Sequence, residues 1–403
     1  MLLSNNSDKD VFANYSYRNF AEEQCIPNMS YNTSVPEAES YQYSTGYMLL
    51  VTVFLPLTFL VGIISNVAFT YVALRIKHMR TVTNKYLIHL AVSDVIFLTA
   101  AIGDKLWKYT GSPVMGDVTP LGSFGCIWVY FISDMAYFAS LIFVTIVSLD
   151  RYFAVCRPQD RKNVIKGRST EITILSWVLA CILAGSLIPS NANITVYCML
   201  WPDTEPYVNW PSAISFCLPI NNWIADFGTG VQTVPFFVTL VLNVYMYVAI
   251  IRGLDQCIQR MSQHGVAKSK DTGMRRQIAR MLVVNGATFF CLLAPFELGS
   301  LFQMIASLRG GDVYLFIITN NTARSYLMLT ARTLSYVNSA INPLIYTAMC
   351  RRYLEAFKQA FLPSSWRNKL NQDLRMDQST RVSALPTQTE ETKLNPDFND
   401  TNV

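Results

Sequence analysis

Apolar residues in this chain fall into long blocks, whereas a soluble core would show them at period 2 or 3.6. Seven blocks stand out, roughly Tyr47–Leu74, Tyr86–Trp107, Cys126–Tyr152, Thr170–Ser190, Ile224–Ile251, Ile278–Leu308 and Ser325–Met349. A helix needs ~20 mostly apolar residues to cross a bilayer, so each block predicts a spanning helix. The first forty residues are polar and lack the apolar stretch of a cleaved leader, so the first span is expected to serve as the targeting signal. Beyond the last block, Arg351–Phe361 reads as an amphipathic helix on the membrane surface. Tyr353, Leu354, Phe357 and Phe361 share one face, with Arg351, Arg352 and Lys358 placed to meet anionic lipid headgroups. From Pro363 onward polar low-complexity sequence predicts disorder. The expected architecture is an all-α membrane protein. A polar segment (1–46) precedes a seven-transmembrane helix bundle (47–350), a short amphipathic eighth helix (351–362) and a tail (363–403).

Composition agrees: of 403 residues, 51% are hydrophobic and only 15% charged. Charge then sets the orientation, because short cytoplasmic loops hold an excess of Lys and Arg. Loops after spans one, three and five carry 17 such residues, against Lys105, Lys108, Arg309 and Arg324 on the other side. The N-terminus is therefore expected outside and the C-terminus in the cytoplasm of a multi-pass plasma-membrane protein. That bias accounts for the net charge of +5 without a nucleic-acid partner. Glycosylation signals at Asn5, Asn14, Asn28, Asn32, Asn193 and Asn320 all fall on the outer side, and a seventh at Asn399 falls inside. Cys25, Cys126, Cys198 and Cys217 lie outside, where two disulfides are expected and three pairings are open.

Polar groups in hydrocarbon are expensive, so those inside the blocks are functional candidates. Asn66, Asp94 and Ser140 sit in spans one to three, and Asn338, Ser339 and Asn342 share a helical face in span seven. An acid among oxygen-bearing side chains could gather around a small hydrated cation, or the set could only join helices by hydrogen bonds.

Longer strings carry more. Leu90-Ala91-Val92-Ser93-Asp94 lies in span two, span three runs from Cys126 to Asp150-Arg151-Tyr152, and span four holds Trp177. Pro235 and Pro295 lie in spans five and six, and span seven ends Asn342-Pro343-Leu344-Ile345-Tyr346. In order and spacing, residues 47–362 resemble the class A (rhodopsin-like) G-protein-coupled receptors. The resemblance implies a receptor without enzymatic activity or cofactor, partnered by a heterotrimeric G protein, receptor kinases and arrestin. It assigns Asp94, Ser140, Ser339, Asn338 and Asn342 to an allosteric sodium pocket. Arg151 becomes the arginine that meets the G protein, held at rest by Asp150 and followed by Tyr152. Tyr346 swings inward on activation, Pro235, Leu141 and Phe289 repack, and Pro235, Pro295 and Pro343 permit helix bending. Two positions depart from the family: Leu293 replaces the large aromatic of span six, and Asn243 stands where a tyrosine is usual in span five. No acid near Arg275 and Arg276 offers Arg151 a second lock.

Span seven has no lysine for a retinal Schiff base, and Tyr336 stands in that region. Ser133 replaces the aspartate of amine receptors. Asp134, Glu297 and Arg332 are the charges expected to face the pore. An acid at Asp134 resembles the ghrelin and neuromedin receptors, and an arginine at Arg332 resembles the thyrotropin-releasing-hormone receptors. A peptide ligand with a basic group and a polar end fits such a pocket, as does an internal bridge from Arg332 to one of the acids. Patches 194–200 and 213–217 suggest a hairpin lid. With Cys126 atop span three and Cys198 in that lid, we expect those two to pair, and Cys25 with Cys217. In the tail, Thr387, Thr389 and Thr392 beside Glu390 and Glu391 resemble phosphorylation sites read by arrestin, and Thr401-Asn402-Val403 resembles a PDZ-domain ligand.

Competing classes fare worse. A transporter or channel often shows internal repeats and paired spans, which are missing. The three histidines His78, His89 and His264 are far apart, which leaves no metal or enzyme constellation. A constitutively active or G-protein-silent receptor stays compatible with Leu293 and Asn243.

Overall fold

The computed structural model describes residues 31–161, 167–263, 270–308 and 321–362. Cys25, the acceptors Asn5, Asn14, Asn28 and Asn320, and the tail sites Thr387, Thr389, Thr392 and Thr401–Val403 lie outside the described residues.

Each apolar block forms a helix, and several helices run past their block at one end or both. We label them α1 (Leu55–Arg75), α2 (Val82–Gly111), α3 (Tyr130–Cys156), α4 (Ser169–Leu187), α5 (Asn222–Gln263), α6 (Lys270–Leu308) and α7 (Asn321–Met349), followed by the surface helix α8 (Arg351–Phe361). Six of these, extended at some ends by short turns, are long and apolar enough to cross a membrane. The other, α7, has 29 residues and carries more polar side chains. Caps mark the starts: Thr81 accepts from the Asn84 amide at the head of α2.

The helices pack as a ring around α3. That helix touches α2, α4, α5 and α6, while α1 meets α2 and α7, and α6 meets α7. The shared core is aromatic, with Phe138, Phe143, Phe236 and Phe289 wholly buried. Outer-face residues such as Ile64, Leu175 and Val241 are exposed, as lipid contact requires. At one end α8 folds back. Tyr353 is buried against Phe69, its hydroxyl donates to Asn84 Oδ1 at 2.6 Å, and Arg352 reaches the His78 carbonyl.

The opposite end is roofed by a small sheet. Strands β2 (Asn193–Leu200) and β3 (Ala213–Leu218) form the expected hairpin. A strand not foreseen, β1 (Tyr31–Asn32), adds in parallel along Met199–Leu200. Asn32 and Asn193, the described glycosylation acceptors, are both exposed here. Beneath lies Asp117, fully buried, whose Oδ1 accepts from the amides of Thr119 (2.9 Å) and Ser215 (3.1 Å) and so ties the α2–α3 loop to β3.

The hairpin corrects the expected disulfide. Cys126 is joined to Cys217, with a Cα–Cα separation of 5.6 Å, and not to Cys198. The register explains it. Cys217 stands opposite Ile194 and Cys198 opposite Ala213, so the two cysteines lie four residues apart along the ladder. At ~3.3 Å per residue that is ~13 Å, beyond the ~7 Å Cα–Cα limit of a disulfide. With Cys217 taken by Cys126, the expected Cys25–Cys217 pair is excluded as well, and Cys198 is disulfide-bonded elsewhere.

Candidate functional site

Below the hairpin, α2 to α7 enclose a cavity of about 450 Å³. Asp134, Arg332 and Tyr336 line it, as the sequence led us to expect. Tyr336 packs on Phe97 with ring centroids 5.9 Å apart. Arg332 lies over the Phe296 ring, 5.2 Å from its centroid. Among the described residues, neither Asp134 nor Arg332 has an ion-pair partner within 4 Å, so the internal bridge weighed above is not formed. Arg332 still acts on Asp134 through space.

Glu297 is a correction. It does not line the cavity but is wholly buried behind it, where Oε1 accepts from the Tyr137 hydroxyl at 2.7 Å. Its place on α6 turns it toward α3 and α5. Tyr137, which does face the cavity, went unnoticed in the sequence because nothing separates it from other span aromatics.

A second correction concerns Lys105 and Lys108, read above as loop charges. Both belong to α2 and converge on Asp104. Lys108 Nζ lies 2.7 Å from Oδ1, Lys105 Nζ lies 3.3 Å from Oδ2, and Lys108 also sits over the Tyr130 ring. Two ammonium groups on one carboxylate leave the α2 wall with an excess positive charge. The i,i+4 spacing of Asp104 and Lys108 was the available signal.

Midway down, the buried polar residues converge in part. Asp94, fully buried, accepts from Asn342 Nδ2 at 2.7 Å and Ser140 Oγ at 3.4 Å, and Ser140 meets Ser93 at 2.9 Å. Ser339 borders the same carboxylate. Asn338 is buried nearby on α7, but among the described residues it makes no hydrogen bond to Asp94, and its Oδ1 is unpartnered. Asn66 bonds the Gly62 and Ser339 carbonyls instead, each at 2.9 Å, and pins α1 to α7. Leu141, Phe289 and Leu293 form the apolar floor between this layer and the cavity, with Pro235 and Pro295 inside their helices.

At the far end, Asp150 is fully buried and Arg151 Nη2 donates to its Oδ2 at 2.6 Å. Thr83 donates to the same oxygen at 2.6 Å, and Arg151 also contacts the Thr83 hydroxyl. Arg161, one of the positive charges on the expected cytoplasmic side, adds a two-pronged contact to Asp150. Tyr152 lies tilted against Tyr245, with ring centroids 6.3 Å apart. Tyr346, beside Pro343 on α7, packs on Phe69 and Tyr353. Asn243 donates to Thr145 Oγ1 at 2.9 Å. One turn further, the Tyr247 hydroxyl lies 3.0 Å from Ser148 Oγ, in space left by Gly286.

Comparison with known proteins completes the picture. The family described as 7 transmembrane receptor (rhodopsin family) matches residues 65–346. The growth hormone secretagogue receptor type 1 of Sus scrofa is 28% identical over 326 residues, covering 80% of this chain and 83% of that receptor. The thyrotropin-releasing hormone receptors of Gallus gallus and Mus musculus are 27% and 26% identical, covering 79% and 84% of this chain and 80% and 84% of their own. With six helices around a central α3, a cavity at one end and a buried Asp150 paired with Arg151 at the other, this chain belongs to the rhodopsin family of seven-transmembrane receptors.

Proposed function

We propose that this receptor lies in the plasma membrane with its hairpin end outside and α8 inside, binds an extracellular peptide in the roofed cavity, and promotes nucleotide exchange on a heterotrimeric G protein. The positive-inside charge bias supports the orientation. Relatives named for the peptide thyrotropin-releasing hormone support the ligand class.

The observation that carries the reading is the pair of unbridged charges, Asp134 and Arg332, lining one cavity. Asp134 is half-buried and Arg332 exposed toward the cavity, so both charges are free to meet a ligand with a cationic group and an anionic or carbonyl-rich end. Asp134→Ala and Arg332→Ala should each weaken agonist potency by at least about tenfold, or ~1.4 kcal/mol, with surface expression intact. Because the two are not paired to each other, exchanging them should not restore potency. Full potency in both single variants would remove them from the ligand site.

The Asp94 layer fits a sodium ion. It offers a buried carboxylate, the Ser140 hydroxyl and an amide oxygen of Asn338; among the described residues that oxygen has no hydrogen-bond partner and no basic side chain bonds Asp94. Hard oxygen donors suit a hard cation. Raised sodium should then increase the thermal stability of the purified, agonist-free receptor, and Asp94→Asn should abolish that increase. An equal sodium effect in the variant would refute the assignment.

A further inference from the structure

The Asp150 carboxylate serves two arginines at once. Arg151, next in sequence, reaches it through a single nitrogen, Nη2 to Oδ2 at 2.6 Å, and its Nε is buried without a hydrogen-bond partner among the described residues. Arg161 belongs to a four-residue helical turn, Pro158–Arg161, that follows α3. It reaches Asp150 through two nitrogens, Nε to Oδ1 at 2.9 Å and Nη2 to Oδ2 at 3.2 Å. The fork geometry of a guanidinium matches a carboxylate best when both prongs engage. By that criterion Arg161, not Arg151, holds the better-formed pair. Thr83 donates to the same Oδ2 and fixes the carboxylate against α2.

We propose that Arg161 is a positioning residue for G-protein coupling, one that keeps Asp150 paired when Arg151 leaves it. This rests on the G-protein reading proposed above and on the contact with the G protein that the family resemblance assigns to Arg151. Asp150 has no solvent exposure, and a buried carboxylate stripped of its partner is strongly destabilised. In a receptor with Arg151 as the sole partner, releasing that arginine would incur this penalty in full. Here the Arg161 fork stays on the carboxylate, so Arg151 leaves a group that is already neutralised. Repulsion between the two guanidinium groups drawn to one carboxylate further loosens Arg151. The Pro158–Arg161 turn thereby becomes an element whose conformation biases the resting state, with an effect opposite to that of an ionic lock: removing Arg161 tightens Arg151.

The test uses the full-length receptor in lipid nanodiscs, without agonist. Nucleotide exchange is measured with purified heterotrimers covering the main α-subunit classes. Arg161→Ala should lower basal exchange by about fivefold, the lower end of typical coupling between sites, and Arg161→Lys, which keeps the charge but loses the fork, should fall between. On an Asp150→Asn background, where no carboxylate remains to be shared, Arg161→Ala should have no effect. That dependence separates positioning from a general role in folding the loop, which would persist in both backgrounds. A rise or no change in exchange on Arg161→Ala, or an equal drop on the Asp150→Asn background, overturns the proposal. A wild type silent with every heterotrimer overturns the coupling reading itself, and this proposal with it.

Discussion

Replacing Cys126 with serine is expected to cost ~2–5 kcal/mol of stability and to remove most folded receptor from the cell surface. The Cys126–Cys217 bond closes a loop with a sequence separation of 91 and fastens the base of β3 to the head of α3, directly above the cavity. Asp117 ties the same strand to the α2–α3 loop, so the roof and the cavity walls are one packed unit. Cys217→Ser should match Cys126→Ser in surface level and melting temperature. Cys198→Ser should be milder, because Cys198 lies at the far end of the ladder. Non-reducing peptide mapping should recover Cys126 with Cys217. It should recover Cys198 with Cys25, since β1 runs beside Met199–Leu200 and brings the N-terminal segment to that end of the hairpin. A Cys126–Cys198 peptide would contradict both assignments.

The second large effect concerns Gly286 on α6. A methyl group there would fall within the van der Waals envelope of the Tyr247 hydroxyl and crowd its ring carbons. Tyr247 is nearly buried and meets Ser148 on α3, so it cannot withdraw without breaking that contact. Overpacking of this kind costs ~1–3 kcal/mol. Gly286→Ala should therefore lower the melting temperature of the purified receptor by several degrees, and adding Tyr247→Ala should recover part of the loss. An unaltered melting temperature in Gly286→Ala would mean that Tyr247 does not occupy this slot.

The parts of this molecule that were legible in its sequence are those dictated by the bilayer. Blocks of ~20 apolar residues have few alternatives to spanning helices, and the strings around Asp94, Arg151 and Tyr346 named the family. Three features were not legible, each for a physical reason. Hairpin register depends on which strand packs over α3, and both 194–200 and 213–217 are equally rich in β-formers, so the wrong cysteine was paired with Cys126. The rotation of Glu297 about α6 is set by its hydrogen bond to Tyr137, a contact 160 residues away in sequence. Lys105 and Lys108 stand at the outer end of α2, where charge alone does not separate helix end from loop, and their shared partner Asp104 emerges only once α2 runs on to Gly111. The span-five departure, Asn243, is accompanied by a tyrosine one turn on, where Gly286 makes room for Tyr247. Only the packed helices reveal that match.

The most direct test of a peptide-activated receptor is a neuropeptide library applied to cells expressing the full chain, with calcium and cyclic-nucleotide responses read beside unstimulated controls. At least one peptide carrying a basic group should raise a second messenger above the basal level, and the response should be lost in Asp134→Ala cells with equal surface receptor. A receptor at the surface whose second-messenger level no peptide alters, or whose responses survive Asp134→Ala undiminished, would contradict this function.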